Sequence, residues 1–270
     1  MTGNLGGVPA VRMQETLEAL RKGVARSKRT GSVRFPLSFA RAFTELEEKP
    51  PLAQLVSGGG GRLSTYLTIV MLATKEPHQL KMSSKDLADM LDRHGRQGPG
   101  PRRIANEIKT LEELKLLKVE RAPGLTPTMT VLTPDGSGES WNARELRSPY
   151  LALPIGLWQN GLILSLAPRD LAVWIALHEF MSGRKQHTAM WMPTSRKQSY
   201  GLSEATWTRG GKGLVEAGLL EIDRVTTSYA GEVRRRNLYA LKMEPVTSKE
   251  SERGGQLPEE EGADRSATSS

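Results

Sequence analysis

Four polar side chains between positions 102 and 109 are expected to share the outward face of a helix: Arg102, Arg103, Asn106 and Lys109. Residues three and four apart are neighbours on a helix surface, so these side chains form one stripe. In the major groove of a DNA duplex, arginine can make two hydrogen bonds to guanine and asparagine two to adenine, while lysine reaches phosphate oxygens. The stripe therefore predicts contacts with double-stranded DNA.

A second set of polar and basic side chains begins about one hundred residues later. Its members lie on an expected helix and in the loop of an expected hairpin: Thr206, Arg209, Lys212, Arg234, Arg235 and Arg236. Consecutive arginines in a loop can follow a phosphate backbone or enter a minor groove. Any one of these side chains taken alone is more often simply solvated. It is the repetition of the set that favours DNA as the partner.

The sequence lacks the residue patterns of common catalytic and metal sites. It contains no cysteine, and its four histidines are scattered without an HExxH pair. The glycines at 58–61 are not followed by Lys-Ser or Lys-Thr at the phosphate-loop spacing, so a linker is the better interpretation. A nuclease with dispersed carboxylates would leave no such pattern. We expect a protein that is not an enzyme and that has neither a cofactor nor a metal.

An internal repeat positions the two sets of side chains. Residues 110–121 (TLEELKLLKVER) align with residues 213–224 (GLVEAGLLEIDR) at an offset of 103 residues, and seven of the twelve positions agree in chemistry. Each segment follows an apolar helix and a short capped helix, and each precedes a turn-rich loop and a β-like run. The repeated order of elements is stronger evidence of two related units than the short match itself.

Apolar periodicity and capping residues predict the elements of each copy. Ser83 with Asp86 forms a capping-box pattern, and Ser203 and Gly218 mark the start and end of a later helix. Helices are predicted over 63–74, 85–91, 102–114, 168–181, 194–200 and 204–217. Strands are predicted over 116–121, 128–132, 189–192, 219–224 and 237–242, with the three arginines in the loop 225–236.

Some large side chains are assigned to cores or to contacts between elements rather than to binding. The apolar surroundings of Pro36 and Pro154 predict two similar extended segments that dock before the helical regions. Trp174, Trp191 and Trp207 fall in helical or strand register, so we expect core packing rather than stacking on bases.

The run RRIANEIKTLEELKLLKVER, followed by a hairpin interrupted by proline, resembles the recognition helix and wing of winged-helix proteins of the helix-turn-helix class. The pattern Leu-x-x-x-x-Leu-Leu before a charged strand occurs at 111–117 and again at 214–220. The resemblance implies an α+β, mainly α, fold with two winged-helix domains in tandem. Two such domains in a chain of this size are similar to plasmid replication initiators, which bind origin repeats.

Composition sets the expected domain boundaries. Residues 1–30 are polar and basic and predict a flexible arm, and residues 247–270 have too few large apolar side chains to order, which predicts a disordered tail. The turn-rich stretch TPDGSGESWN separates the two periodic regions. The expected organisation is therefore a first winged-helix domain over 31–135, a linker over 136–148 and a second winged-helix domain over 149–246.

The charge balance and the absence of long apolar runs narrow the expected partners. The formal net charge is +8, which favours a polyanion, and no apolar run approaches the ~20 residues that span a bilayer. We expect a cytoplasmic, nucleoid-associated protein with no membrane partner. Three functions stay open: a plasmid or mobile-element initiator that works with replication proteins, a transcription regulator that binds a palindromic operator as a homodimer, and a winged-helix module that binds protein.

Overall fold

Helices and small antiparallel sheets alternate along the chain in the computed structural model, which describes residues 10–44, 48–92, 100–142, 149–183, 188–229 and 232–246. The structure is mixed α/β, about 48% helical and 19% strand. The predicted tail over 247–270 lies outside the described residues. None of the described helices has the length and apolar character needed to cross a bilayer.

The first unit runs from strand β1 (Ser32–Pro36) to strand β4 (Thr128–Val131). Seven elements lie between them in the described residues: α2 (Leu37–Ala40), α3 (Pro51–Ser57), α4 (Arg62–Leu72), β2 (Gln79–Lys81), α5 (Ser84–Met90), α6 (Gly100–Glu113) and β3 (Leu117–Glu120). A further helix, α1 (Ala10–Ser27), precedes this unit.

The second unit runs from strand β5 (Tyr150–Pro154) to strand β8 (Glu232–Leu241) and repeats the order of the first, element by element. Its other described elements are α7 (Gly156–Gln159), α8 (Leu162–Ser165), α9 (Pro168–Met181), β6 (Met190–Trp191), α10 (Thr194–Ser199), α11 (Glu204–Glu216) and β7 (Leu220–Tyr229). The internal repeat therefore extends from the matched twelve residues to whole units of one strand, three helices, one strand, two helices and two strands.

Each unit contains a three-stranded antiparallel sheet in which the last strand lies in the middle. The strand orders are β2-β4-β3 in the first unit and β6-β8-β7 in the second. The predicted capping box forms, because Ser83 Oγ accepts from the Asp86 N–H and the Asp86 carboxylate accepts from the Ser83 N–H. Gly218 has a φ of 71°, which glycine adopts without strain, and it ends α11 as predicted.

The two units are joined by a symmetric pair of strands. Strands β1 and β5 are antiparallel, and Ser32 pairs with Pro154 while Pro36 pairs with Tyr150. Because β1 and β5 are the equivalent first strands of the two units, each end of one strand meets the opposite end of its counterpart. This register is that of an isologous contact, in which one surface patch meets a second copy of itself. The two proline-containing segments predicted to dock are these strands.

The buried side chains of both units form one continuous hydrophobic cluster. At its centre the indole of Trp158 on α7 is completely buried, and its Nε1 donates to Thr68 Oγ1 on α4 at 3.2 Å. Helix α9 also contacts α3 and α4 of the first unit. The units therefore pack through a shared core.

The interpretation of residues 1–30 as a flexible arm is wrong for the described part. Helix α1 packs against α4, α5 and α7, and it buries Leu20 and Val24. Arg29, just after the helix, donates to the carbonyls of Met71 and Val70 at 2.9 and 3.1 Å. The basic composition of the segment conceals an apolar stripe at helical spacing, and that stripe is what anchors the helix.

The predicted linker over 136–148 is partly a packed element of the first unit. Trp141 is buried and its ring lies 4.8 Å from the ring of His78. Thr133 Oγ1 donates to the carbonyl of Glu139 at 3.2 Å, which closes the turn before the tryptophan. Residues 143–148 lie outside the described part. The tryptophan supplies enough apolar area to hold this turn against the sheet.

The prediction of a core position is confirmed for Trp174 and Trp207 and is wrong for Trp191, which is 40% exposed. Trp191 lies on the short edge strand β6, and the guanidinium of Arg236 covers its ring at 4.2 Å. The other four tryptophans of the chain are buried. A two-residue edge strand has no second layer to cover its outward side chain.

We expect acrylamide to quench the fluorescence of one tryptophan, because only Trp191 among the five is exposed to solvent. Replacement by phenylalanine, Trp191→Phe, should remove most of the quenchable emission and leave the buried population unchanged. The measurement is a Stern–Volmer titration of wild type, Trp191→Phe and, as the matched control, Trp207→Phe. Equal quenching of wild type and Trp191→Phe would contradict this exposure pattern.

Candidate nucleic-acid interface

The exposed face of α6 carries three of the four side chains predicted on it. Arg102, Asn106 and Lys109 are exposed, whereas Ile104, Ile108 and Leu111 on the opposite face are buried. Arg103 is only half-exposed, because it lies about 100° further around the helix than Arg102. The structure therefore brings Arg102, Asn106 and Lys109 together and places Arg103 at the border of the stripe.

Helix α6 is fixed to the first unit by a buried carboxylate, Glu107. Its Oε1 accepts from the N–H of Gly61 at 3.0 Å, and its Oε2 accepts from the hydroxyl of Thr65 at 2.6 Å. Gly61 is the N-cap of α4, so the negative charge lies at the positive end of that helix. The four-glycine segment predicted as a linker is the junction from α3 to α4, and it receives this contact.

Replacing the carboxylate with an amide, Glu107→Gln, should lower the free energy of unfolding by about 1.5 kcal/mol, since one of two charge-assisted hydrogen bonds at a buried site is lost. Urea unfolding monitored by circular dichroism measures the change. The matched control is Glu113→Gln on the same helix, where the side chain is exposed, and it should change stability by less than about 0.5 kcal/mol. Equal effects of the two substitutions would contradict the anchoring role.

A second carboxylate ties α6 to the sheet. Glu112 accepts two hydrogen bonds from the guanidinium of Arg121, at 3.2 and 2.6 Å, and one from the N–H of Val119 at 3.2 Å. The bidentate hydrogen bond raises the pKa of Arg121 above its usual value. The side chain of Arg121 therefore helps to fix the angle between α6 and β3.

Sequence reasoning misses both of these positioning carboxylates. The partners of Glu107 are 42 and 46 residues away, and those of Glu112 lie in the strand region that follows its helix. No spacing pattern within a single helix marks contacts of this kind. A glutamate on the inward side of an otherwise apolar face is the one signal that could have found Glu107.

Helix α11 presents a stripe at the same helical positions as α6. Arg209 and Lys212 are exposed, and Trp207 and Leu214 on the other face are buried. Thr206 is half-buried and takes part in the helix cap, where its N–H donates to Ser203 Oγ at 3.1 Å and its hydroxyl contacts the same oxygen at 2.9 Å. Thr206, predicted in the outward stripe, thus lies at its border, at the position that Arg103 has on α6.

Two of the three exposed stripe positions of α6 recur on α11 at the repeat offset, whereas Ala205 stands at the position of Arg102. Arg209 occupies the position of Asn106, and Lys212 occupies that of Lys109. Each lysine forms an ion pair with a glutamate one turn later, at 3.9 Å to Glu113 and at 3.6 Å to Glu216. Exposed pairs of this kind contribute little to stability, so both lysines can exchange the glutamate for a phosphate at low cost.

The arginines predicted in a loop lie in strand β8 instead. Strands β7 and β8 form a ribbon of ten residue pairs, in which Arg234 pairs with Thr227, Arg235 with Thr226 and Arg236 with Val225. The β-branched residues at 225–227 favour extended backbone, and they lengthen the hairpin beyond the predicted strands. Because side chains alternate between faces, Arg236 points to the face that carries Trp191, and Arg235 points to the opposite face, where it is exposed.

The described residues contain no group of three histidine, aspartate or glutamate side chains that could hold a metal ion. The outward faces of α6 and α11 and the ribbon, each taken by itself, instead offer exposed arginine, asparagine and lysine side chains. Such groups can donate hydrogen bonds to base edges and to phosphates. Comparisons of this chain with family models, with curated proteins and with solved structures give no match.

Proposed function

We propose that the chain is a non-enzymatic protein that binds double-stranded DNA through two winged-helix units in tandem, with α6 and α11 as recognition helices. In each unit the order from the long apolar helix onward is helix, strand, helix, helix, strand, strand, which is the order of the winged-helix fold. The single observation that carries the proposal is the recurrence on α11 of two of the three exposed stripe positions of α6, with Arg209 at the position of Asn106 and Lys212 at that of Lys109. Solvated surface charge alone does not require the same positions in both units.

The proposed contacts divide into two classes. Arg102, Asn106 and Arg209 lie at stripe positions from which they can contact base edges, and Lys109 and Lys212 contact phosphates. In the ribbon of the second unit, Arg235 has an exposed side chain on a projecting hairpin, which suits contact with the backbone of a neighbouring groove. Glu107 and Glu112 position α6 and do not contact DNA.

The role we propose is initiation of replication on a plasmid or mobile element, with replication proteins as further partners. A chain that carries two potential recognition helices, on units that share a core, needs no second molecule to present both of them. A transcription regulator with one such unit needs a homodimer to reach the same arrangement. The tandem arrangement in a single chain is therefore the observation that favours the initiator over the regulator.

Fluorescence anisotropy tests the proposal on a random duplex and on the DNA upstream of the gene, between about 50 and 300 mM salt. We expect wild-type affinity to fall by roughly a thousandfold between about 50 and 200 mM salt, because several phosphate counterions are released on binding. The variants Arg102→Ala/Lys109→Ala and Arg209→Ala/Lys212→Ala should each weaken binding about tenfold or more.

A matched control removes the same charge from a different surface. Lys22 and Arg26 are exposed on α1, so Lys22→Ala/Arg26→Ala lowers the net charge by two, as each stripe variant does. We expect this control to change affinity by less than about threefold, because it alters only the long-range electrostatic attraction and removes no direct contact with DNA. If wild-type binding is weak and insensitive to salt, or if the control weakens binding as much as the stripe variants do, the proposal fails.

A further inference from the structure

A buried ionic cluster joins the first unit to the helix that precedes α11. The carboxylate of Glu179, on α9, is only 8% exposed and accepts hydrogen bonds from three side chains. Arg196 Nη2 donates to its two oxygens at 2.9 and 2.7 Å, the hydroxyl of Tyr200 donates at 2.5 Å, and Arg41 Nε donates at 3.3 Å. Burial raises the pKa of Tyr200, so the hydroxyl retains its proton and remains a donor.

Two of the three donors come from the second unit and one comes from the first. Arg196 lies on α10 and Tyr200 directly follows it, whereas Arg41 belongs to the first unit, at the end of α2. Glu179 therefore receives donors from both units at one point. A carboxylate held by two guanidinium groups and a hydroxyl has little freedom to move, since each donor constrains a different direction.

The backbone around this cluster is also in contact across the units. The N–H of Ala42 donates to the carbonyl of Ser199 at 2.8 Å. Gly201 has a φ of 64°, and a Cβ at this position would lie 3.0 Å from Pro50 Cδ and 3.2 Å from Ala53 Cβ. The turn after α10 thus lies directly against α3 and the chain that leads into it.

That turn leads into α11 within three residues. The ring of Tyr200 meets the ring of Trp207 on α11 edge to face, with centroids 5.9 Å apart. Lys197 on α10 pairs with Glu204, the first residue of α11, at 2.7 Å. A shift of α10 relative to the first unit would therefore carry α11 with it.

We propose that Glu179, together with Arg41, is a positioning residue that fixes the orientation of α11 relative to the first unit and thereby makes the protein select one spacing between its two half-sites on DNA. This inference rests on the proposed function, because it requires both helices to engage one duplex. A rigid connection between two recognition helices penalises every spacing except the one that matches. The shared core and the β1–β5 pairing still join the units without the Arg41 contact, but α10 and α11 can then tilt against the first unit, and neighbouring spacings become acceptable.

Selection from a random duplex pool tests the inference and needs no known target sequence. Wild type, Arg41→Ala, Glu179→Gln and the control Arg29→Ala are each used to enrich a pool, and the distances between paired half-sites are counted. Arg29 is the matched control because it too is a part-buried arginine, and both carbonyls to which it donates, those of Met71 and Val70, belong to the first unit. Arg41→Ala removes only the donor from the first unit and leaves Arg196 and Tyr200 in place, so the second unit keeps its fold.

We expect the wild-type and Arg29→Ala pools to contain two half-sites at one spacing. The Arg41→Ala and Glu179→Gln pools should contain the same half-sites at two or more spacings, with affinity for a duplex holding one half-site within about twofold of wild type. If both variants keep the single spacing, or if the wild-type pool holds one half-site only, the inference is overturned while DNA binding stands. If wild type enriches no sequence, the proposed function itself fails.

Discussion

Replacing Trp158 with alanine should lower the free energy of unfolding by about 3–5 kcal/mol, the range for a fully buried tryptophan. The indole has no solvent exposure, and it bridges α7 to α4 through the hydrogen bond to Thr68. The substitution leaves a large void between the two units and removes the donor to Thr68 Oγ1. Thermal unfolding followed by circular dichroism should show a fall in Tm of about 10 °C.

Trp191 provides the matched control for this prediction. It is the same residue type with 40% exposure at the edge of a sheet, so Trp191→Ala should cost less than about 1 kcal/mol. A similar loss for the two substitutions would show that Trp158 does not hold the units together. If Trp158→Ala splits the unfolding curve into two transitions, the shared core is what makes the units unfold as one.

Adding a single methyl group at Gly210 should destabilise the protein by about 3 kcal/mol, which is the upper end of the usual range for overpacking a core. A Cβ at this position would lie 2.6 Å from Val173 Cγ2 and 2.9 Å from the carbonyl oxygen of Arg169. The backbone oxygen cannot rotate away, so α11 and α9 must move apart along their whole contact. Chemical denaturation of Gly210→Ala measures the loss.

The neighbouring glycine separates this steric effect from helix propensity. A Cβ at Gly211 would meet Ile222 Cδ1 at 3.6 Å, which is an ordinary contact. Gly211→Ala should therefore stabilise the protein by up to about 1 kcal/mol, because alanine favours the helix more than glycine does. Two substitutions one residue apart on α11 should thus have opposite signs. Destabilisation by both would mean that α11 tolerates no added side chain at either position.

The elements with strong local signals can be predicted from the sequence. Helix α9 is predicted over 168–181 and is observed over those residues, because proline at its first position and an apolar core face mark it without reference to the rest of the chain. The caps at Ser83 and Ser203 depend on hydrogen bonds to residues three positions away and are equally accessible. The repeat between the units follows from the same local patterns.

The features that depend on distant partners cannot be predicted in this way. The pairing of β1 with β5 joins residues more than one hundred positions apart, and no periodicity encodes which strand meets which. The charge of residues 1–30 predicts a flexible arm, whereas the four-residue spacing of Leu20 and Val24 predicts a helix with a buried face, and the helix is what is observed. A run of three arginines is typical of solvated loop, but the β-branched residues that precede it favour the extended backbone that is observed.

The candidate DNA-contacting residues also include positions that the sequence predicts and positions that it does not. The outward positions of five side chains follow from helical geometry alone and are confirmed: Arg102, Asn106, Lys109, Arg209 and Lys212. Arg103 and Thr206 lie at the borders of the stripes because of the angle by which each helix is rotated about its own axis relative to its unit. That angle is set by Glu107 in the first unit and by the close approach at Gly210 in the second, and both are tertiary contacts.

The symmetric register of β1 and β5 has a consequence for self-association. A unit of this kind on its own would expose one self-complementary strand edge, and two molecules could join through it by the same hydrogen bonds that are formed here within one chain. In the intact chain the second unit already occupies that place for the first. The single chain thus contains the strand pairing that two separate units would form as a dimer. This strand edge is therefore not available to recruit another copy.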